Sequence, residues 1–240
     1  MKKAHIICAI AIVTMSGMII RCNKENGPTN PQTEALGNVI FQEGFESASS
    51  FDSIYKQINY DFGQKRMSIT TQSKHSGNAS LTSYDTSTSI KRRIEPSITD
   101  SIAGLQFYMM ATKKSHANTF VGIYRYVDMT PPSLMSYTME MGIDKSDSLK
   151  YVFEYCPVWD ACPFNEYKNF AALELNKWYE CKIEYNYTDT TLTYSVDNRI
   201  VHKITVPNPM ELNMFFVMRD NLGAPGTSGY YIDDITVYKR

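Results

Sequence analysis

The chain has 240 residues, a formal net charge of −1 and no basic stripe. That balance speaks against nucleic-acid binding, which needs clustered Lys and Arg to displace counterions. The length suits a single all-β domain, and 17 Tyr in a 12% aromatic chain suit strands whose outer face is half wet.

The first residues read as a leader. Lys2 and Lys3 form a basic start, and Ile6 to Ile20 is an apolar run too short for a spanning helix. It ends at Ile19-Ile20-Arg21-Cys22, which is similar to a bacterial lipobox with Cys22 as the lipidated residue. Arg21 departs from that pattern, so ordinary secretion and an uncleaved anchor stay open. Residues 1–22 are thus a signal segment. Residues 23–37, with Gly27, Pro28 and Pro31, read as a flexible polar tether. The expected location is the cell envelope, as an outer-membrane or surface lipoprotein, or otherwise the medium.

From residue 38 onward period-2 alternation recurs between Gly, Pro, Asn, Asp and Ser punctuation. Val39 to Glu46 opens the domain. Phe51 to Phe62 is irregular and is expected to include a short turn of helix. Met67–Thr71, Ala79–Tyr84, Ser89–Glu95 and Ala103–Thr112 read as strands. Phe120 to Val127 alternates, with Val121, Ile123 and Val127 on one side and Phe120, Tyr124 and Tyr126 on the other. Tyr137–Ile143 and Leu149–Tyr155 follow, joined by the polar segment Asp144–Ser148.

Cys156 and Cys162 flank a short loop that a disulfide would close in an oxidising compartment. Trp178–Tyr187 and Thr191–Val196 make a hairpin, with Cys181 as a buried free thiol. Asp197-Asn198 turns the chain into Arg199–Val206. Asn213–Arg219 and the terminal stretch Gly229–Lys239 complete about a dozen strands without βα alternation, which predicts a two-sheet antiparallel β-sandwich over residues 38–240. Two distant terminal strands carry acids among apolar residues, so the two chain ends are expected to pair.

Five phrases, in order, resemble the concanavalin A-like (laminin-G-like) jelly rolls. They are Phe41-Gln-Glu-Gly-Phe-Glu46, His75-Ser-Gly-Asn-Ala-Ser-Leu81, Gly104-Leu-Gln-Phe-Tyr108, Lys177-Trp-Tyr-Glu-Cys-Lys-Ile-Glu184 with Tyr194-Ser-Val-Asp-Asn198, and Ile232-Asp-Asp-Ile-Thr-Val-Tyr238. Galactose-binding-like carbohydrate modules share the first and last phrases and remain a rival topology. The resemblance implies a structural Ca²⁺ where the chain ends meet. Its ligands would be Asp233, Glu43 and the carbonyl of Gly77, since hard cations gather several oxygens.

If Val121, Ile123, Met139 and Met141 face the core, the opposite face carries Tyr124, Tyr126, Thr138, Glu140, Lys150 and Glu154. Flat rings with carboxylates suit a sugar. The site expected from sequence is therefore Tyr124, Tyr126, Glu140, Glu154 and Trp159, with Trp159 as an exposed platform. The laminarinase-type E-x-D-x-x-E motif is absent, because Glu140-Met-Gly-Ile-Asp144 does not match it. The expected function is non-catalytic binding of a glycan or polysaccharide, with a lipid anchor as the only membrane contact. The alternatives are a glycoside hydrolase or polysaccharide lyase with an atypical site, or a scaffold domain with no sugar site.

Overall fold

The computed structural model describes residues 36–46, 56–59, 67–83, 88–114, 117–126, 136–156, 164–220 and 229–240. Fifteen strands lie among them: β1 (Asn38–Glu43), β2 (Lys56–Asn59), β3 (Met67–Thr70), β4 (Ser80–Ser83), β5 (Thr88–Ile98), β6 (Ile102–Ala111), β7 (Asn118–Arg125), β8 (Ser136–Ile143), β9 (Ser148–Cys156), β10 (Phe164–Ala172), β11 (Tyr179–Asn186), β12 (Thr191–Val196), β13 (Arg199–Thr205), β14 (Leu212–Asp220) and β15 (Tyr230–Lys239). The eight-stranded sheet runs β13-β12-β11-β6-β15-β4-β3, with β1 added on β15, and the seven-stranded sheet runs β10-β9-β8-β7-β14-β5-β2. Every ladder between them is antiparallel.

The chain ends meet as expected. Phe41 pairs with Val237 and Glu43 with Ile235 along the β1–β15 ladder. The inner faces bury Leu105, Phe107 and Ile183 from one sheet against Val121, Met139, Phe153 and Phe215 from the other. Phe41 meets Phe215 edge-on with ring centroids 5.6 Å apart, so the first strand packs directly on the opposite sheet.

Three readings of the sequence change here. Lys56–Asn59 is a strand paired with β5, not part of a helical turn. Phe164–Ala172 is also a strand, at the edge of its sheet and mostly exposed, so its sequence shows no apolar alternation. Many tyrosines are interior rather than outward: Tyr137, Tyr185, Tyr194 and Tyr230 belong to the buried core. A buried hydroxyl can reach an acceptor on the opposite sheet. Tyr194 donates to the Val152 carbonyl at 2.6 Å across the sandwich and Tyr187 to the Ile98 carbonyl at 2.6 Å. Tyr238, buried over Gly104 on the outer face of the eight-stranded sheet, donates to Glu184 Oε1 at 2.6 Å within that sheet.

Between edge strands β13 and β10, His202 Nε2 lies 2.7 Å from Glu166 Oε1, and the imidazole stacks on Tyr151 at 4.3 Å. Cys181 is buried and free. The Asp197-Asn198 turn has positive φ at both residues, 49° and 61°, as a two-residue hairpin requires.

Candidate functional site

The register of the seven-stranded sheet decides what shares its outer face. Val121 pairs with Met141 and Ile123 with Met139, and all four are buried in the core. Their neighbours point the other way. One row reads Tyr167, Val152, Glu140, Gly122, Phe216 and Lys91 across β10, β9, β8, β7, β14 and β5. The next reads Asn165, Glu154, Thr138, Tyr124, Met214 and Arg93. Glu140 and Glu154 are therefore diagonal neighbours on one face, as the sequence alone cannot decide. Diagonal cross-strand positions are about 7 Å apart.

The centre of this face is deep. Glu140 and Thr138 each keep 9% of their exposure and Phe216 keeps 6%. Burial first, and then the nearby Glu154 carboxylate, push the Glu140 carboxyl up to about 8 against the opposing charge of Lys150. Around this acid the rings are ordered. Tyr124 meets Phe216 edge-on at 5.2 Å and Tyr126 edge-on at 6.3 Å. Asn213 fixes the end of β7, accepting from the Tyr126 N–H at 2.6 Å and donating to the Tyr126 carbonyl at 2.8 Å.

Of the sequence-predicted face, Tyr124, Tyr126, Glu140 and Glu154 come together. Trp159 lies outside the described residues, as do Cys22 and Cys162. Cys156 is disulfide-bonded. Sequence reasoning missed Lys91, Arg93 and Tyr167. The signal for the two cations was the alternation within Lys91-Arg92-Arg93, which sends Lys91 and Arg93 outward while Arg92 sits 4.2 Å over the inner Phe41 ring; Tyr167, on an edge strand without apolar alternation, had none.

The second expected site sits on β15. Asp233 is fully buried, and both of its oxygens are engaged by backbone donors. Oδ2 accepts from His75 N–H at 2.8 Å and Ser76 N–H at 3.3 Å, and Oδ1 accepts from Asp234 N–H at 2.8 Å. A bulge follows, with Asp234 at φ 47°. That turn lets Asp234 reach the same loop, with Oδ2 2.7 Å from His75 Nδ1 and Oδ1 accepting from Ser76 Oγ at 2.7 Å. His75 is stacked on Tyr108 at 3.6 Å.

Of the expected metal ligands, Glu43 and Asp233 both accept backbone hydrogen bonds. Glu43 Oε1 accepts from Phe45 N–H at 2.7 Å. Gly77 has φ +56°, a left-handed backbone that favours glycine, and the Glu46 carboxylate lies against it. Glu46 in turn accepts from Asn78 N–H at 3.0 and 2.8 Å. Among the described residues no group of three His, Cys, Asp or Glu could hold a metal ion.

Two antiparallel sheets closed by pairing of the chain ends define a concanavalin A-like jelly roll. Solved structures of that type superpose on this chain. The globular domain of T. cruzi calreticulin does so with a TM-score of 0.61 and 10% identity, over 84% of this chain and 88% of that one. A glycoside hydrolase family 16 endo-glucanase from Bacteroides ovatus, in complex with G4G3G-2F-DNP, gives 0.56 and 13% over 83% and 100%. A legume lectin-like domain from Entamoeba histolytica gives 0.52 and 9% over 84% and 97%. At these identities the likeness is one of fold. No family model matches the sequence, and no curated protein matches it.

Proposed function

We propose that the outer face of the seven-stranded sheet binds a polysaccharide without cleaving it. The observation that carries this is the grouping of Tyr124, Tyr126, Glu140 and Glu154 on one face, rings beside acids at the deepest part of the sheet. Rings cover the C–H faces of a pyranose while carboxyl groups take its hydroxyls. The fold supports the reading, since similar structures include a lectin-like domain and a glucanase with a bound oligosaccharide.

The expected result is saturable binding to a polysaccharide in affinity electrophoresis. Tyr124→Ala should weaken it about tenfold, or about 1.4 kcal/mol, while Tyr124→Phe keeps most of it. Equal binding by wild type and Tyr124→Ala would remove this face from consideration.

A second reading is hydrolysis. It is favoured by the placing of two carboxyl-bearing residues, Glu140 and Glu154, as diagonal neighbours on one face, since glycoside hydrolysis uses a pair of carboxyl groups flanking the scissile bond, and by the raised Glu140. Release of reducing ends that stops in Glu140→Gln would establish it.

We extend the proposal to location: the leader ends in export and Cys22 carries a lipid. Mass spectrometry of the mature N-terminus should find diacylglyceryl-cysteine at Cys22, and an unmodified terminus there contradicts it.

A further inference from the structure

Lys91 and Arg93 occupy one flank of the same face. Lys91 Nζ stands 5.7 Å from the Tyr124 ring centroid, and the Arg93 guanidinium carbon stands 5.9 Å from that of Tyr126. Lys150 occupies the other flank, its Nζ 4.6 Å over the Tyr167 ring. The two flanks lie about four strand spacings apart, roughly 19 Å. Among the described residues none of these three cations is in an ion pair.

The chain as a whole carries a net charge of only −1, so this is a local concentration. Lys91 and Arg93 are i, i+2 neighbours on one side of a strand, where like charges repel unless an anion sits between them. Facing them are Glu154 and Glu140 in the middle and exposed Glu95 beyond Arg93 at the strand's end. A guanidinium fork matches a planar carboxylate with two parallel hydrogen bonds.

We propose that the polymer taken by this face is acidic: a polyuronate, its pyranose rings on Tyr124 and Tyr126 and its carboxylates on Lys91, Arg93 and Lys150. This rests on the polysaccharide-binding reading above. Neutral sugars would leave the cations facing water, whereas a uronate chain satisfies both flanks at once. Attraction of this kind is screened by salt, so affinity falls as ionic strength rises.

The test uses the whole protein with polygalacturonate and alginate, each as the free acid and as its methyl ester, beside a mixed-linkage β-glucan and dextran sulfate. The acids are expected to bind at least tenfold more tightly than their esters in low salt. That margin should shrink between 50 and 500 mM NaCl, an interval set by the Debye lengths of about 10 Å at 0.1 M and 3 Å at 1 M. The double variant Lys91→Gln, Arg93→Gln should lose most of the margin and keep its melting temperature, since both side chains reach solvent. Equal binding of acid and ester overturns the charge argument and leaves the polysaccharide reading standing. Binding to none of the six polymers overturns both. Tighter binding of dextran sulfate than of either uronate overturns the assignment to carboxylates.

Discussion

Replacing Asp233 with alanine is expected to destabilise the domain by about 3–5 kcal/mol, because it strands three backbone donors at a buried position. Those donors are the N–H groups of His75, Ser76 and Asp234, all held by the Asp233 carboxylate. For a domain of this size the melting temperature should fall by about 10 °C. The loss should also be local first. Amide exchange at His75 and Ser76 should accelerate more than exchange in β6 or β11, because the loop is held to β15 by this carboxylate and by Asp234. The same experiment tests the metal. A bound ion would add stability in proportion to its occupancy. With Asp233, Glu43 and Glu46 all engaged by N–H donors, calcium and chelator should give the same melting curve in the wild-type protein. A calcium-dependent rise that disappears in Asp233→Ala would restore the ion to this corner. Uniform exchange across the sheet would show that Asp233 is not a clamp.

The architecture was legible because it rests on the chain's strongest local signals. Alternation in Tyr179–Tyr185 has a period of two and one buried face, so the strand assignment there follows directly, while Phe120–Ile123 is buried on both faces. The meeting of the two ends was legible from the similar phrases around Phe41 and Ile235, whose strands β1 and β15 pair with Phe41 opposite Val237 and Glu43 opposite Ile235. Phe164–Ala172 was not legible, because an edge strand has little to bury and shows a mixed, mostly polar surface.

The candidate face was half legible. Alternation sorted Tyr124 and Glu140 to the outside, but nothing local states that Glu154 stands diagonal to Glu140 or that Arg93 shares a row with Tyr124. Those relations are fixed by register, and a slip of one residue would reverse them all. The acids of β15 show the same dependence on relations that sequence does not state. After Asp233 the bulge lets both Asp233 and Asp234 reach one loop, Asp233 at the His75 N–H and Asp234 at Ser76 Oγ.

Glu140→Gln is expected to make the protein more stable in mild alkali and to leave it nearly unchanged in acid. The folded chain raises the Glu140 pKa from 4.5 to about 8, chiefly by burial and then by the Glu154 carboxylate. A raised folded-state pKa means that the folded protein holds this proton more tightly than the unfolded chain does. Its contribution to stability is therefore fully present below about pH 4.5 and is lost as the pH rises through about 8. The difference is on the order of 3–5 kcal/mol. Glutamine keeps the shape and the neutral charge without a titrating proton, so its urea midpoint should stay level while that of the wild type falls between pH 5 and pH 8.5. Parallel midpoints for the two proteins would mean that Glu140 is ionised at neutral pH. Ligand binding supplies an independent check. With its proton in place, Glu140 adds no negative charge beside Lys150 and presents a donor to a sugar oxygen. Uronate affinity should consequently decline above pH 8 in the wild type, and Glu140→Gln should abolish that decline without weakening binding at pH 6.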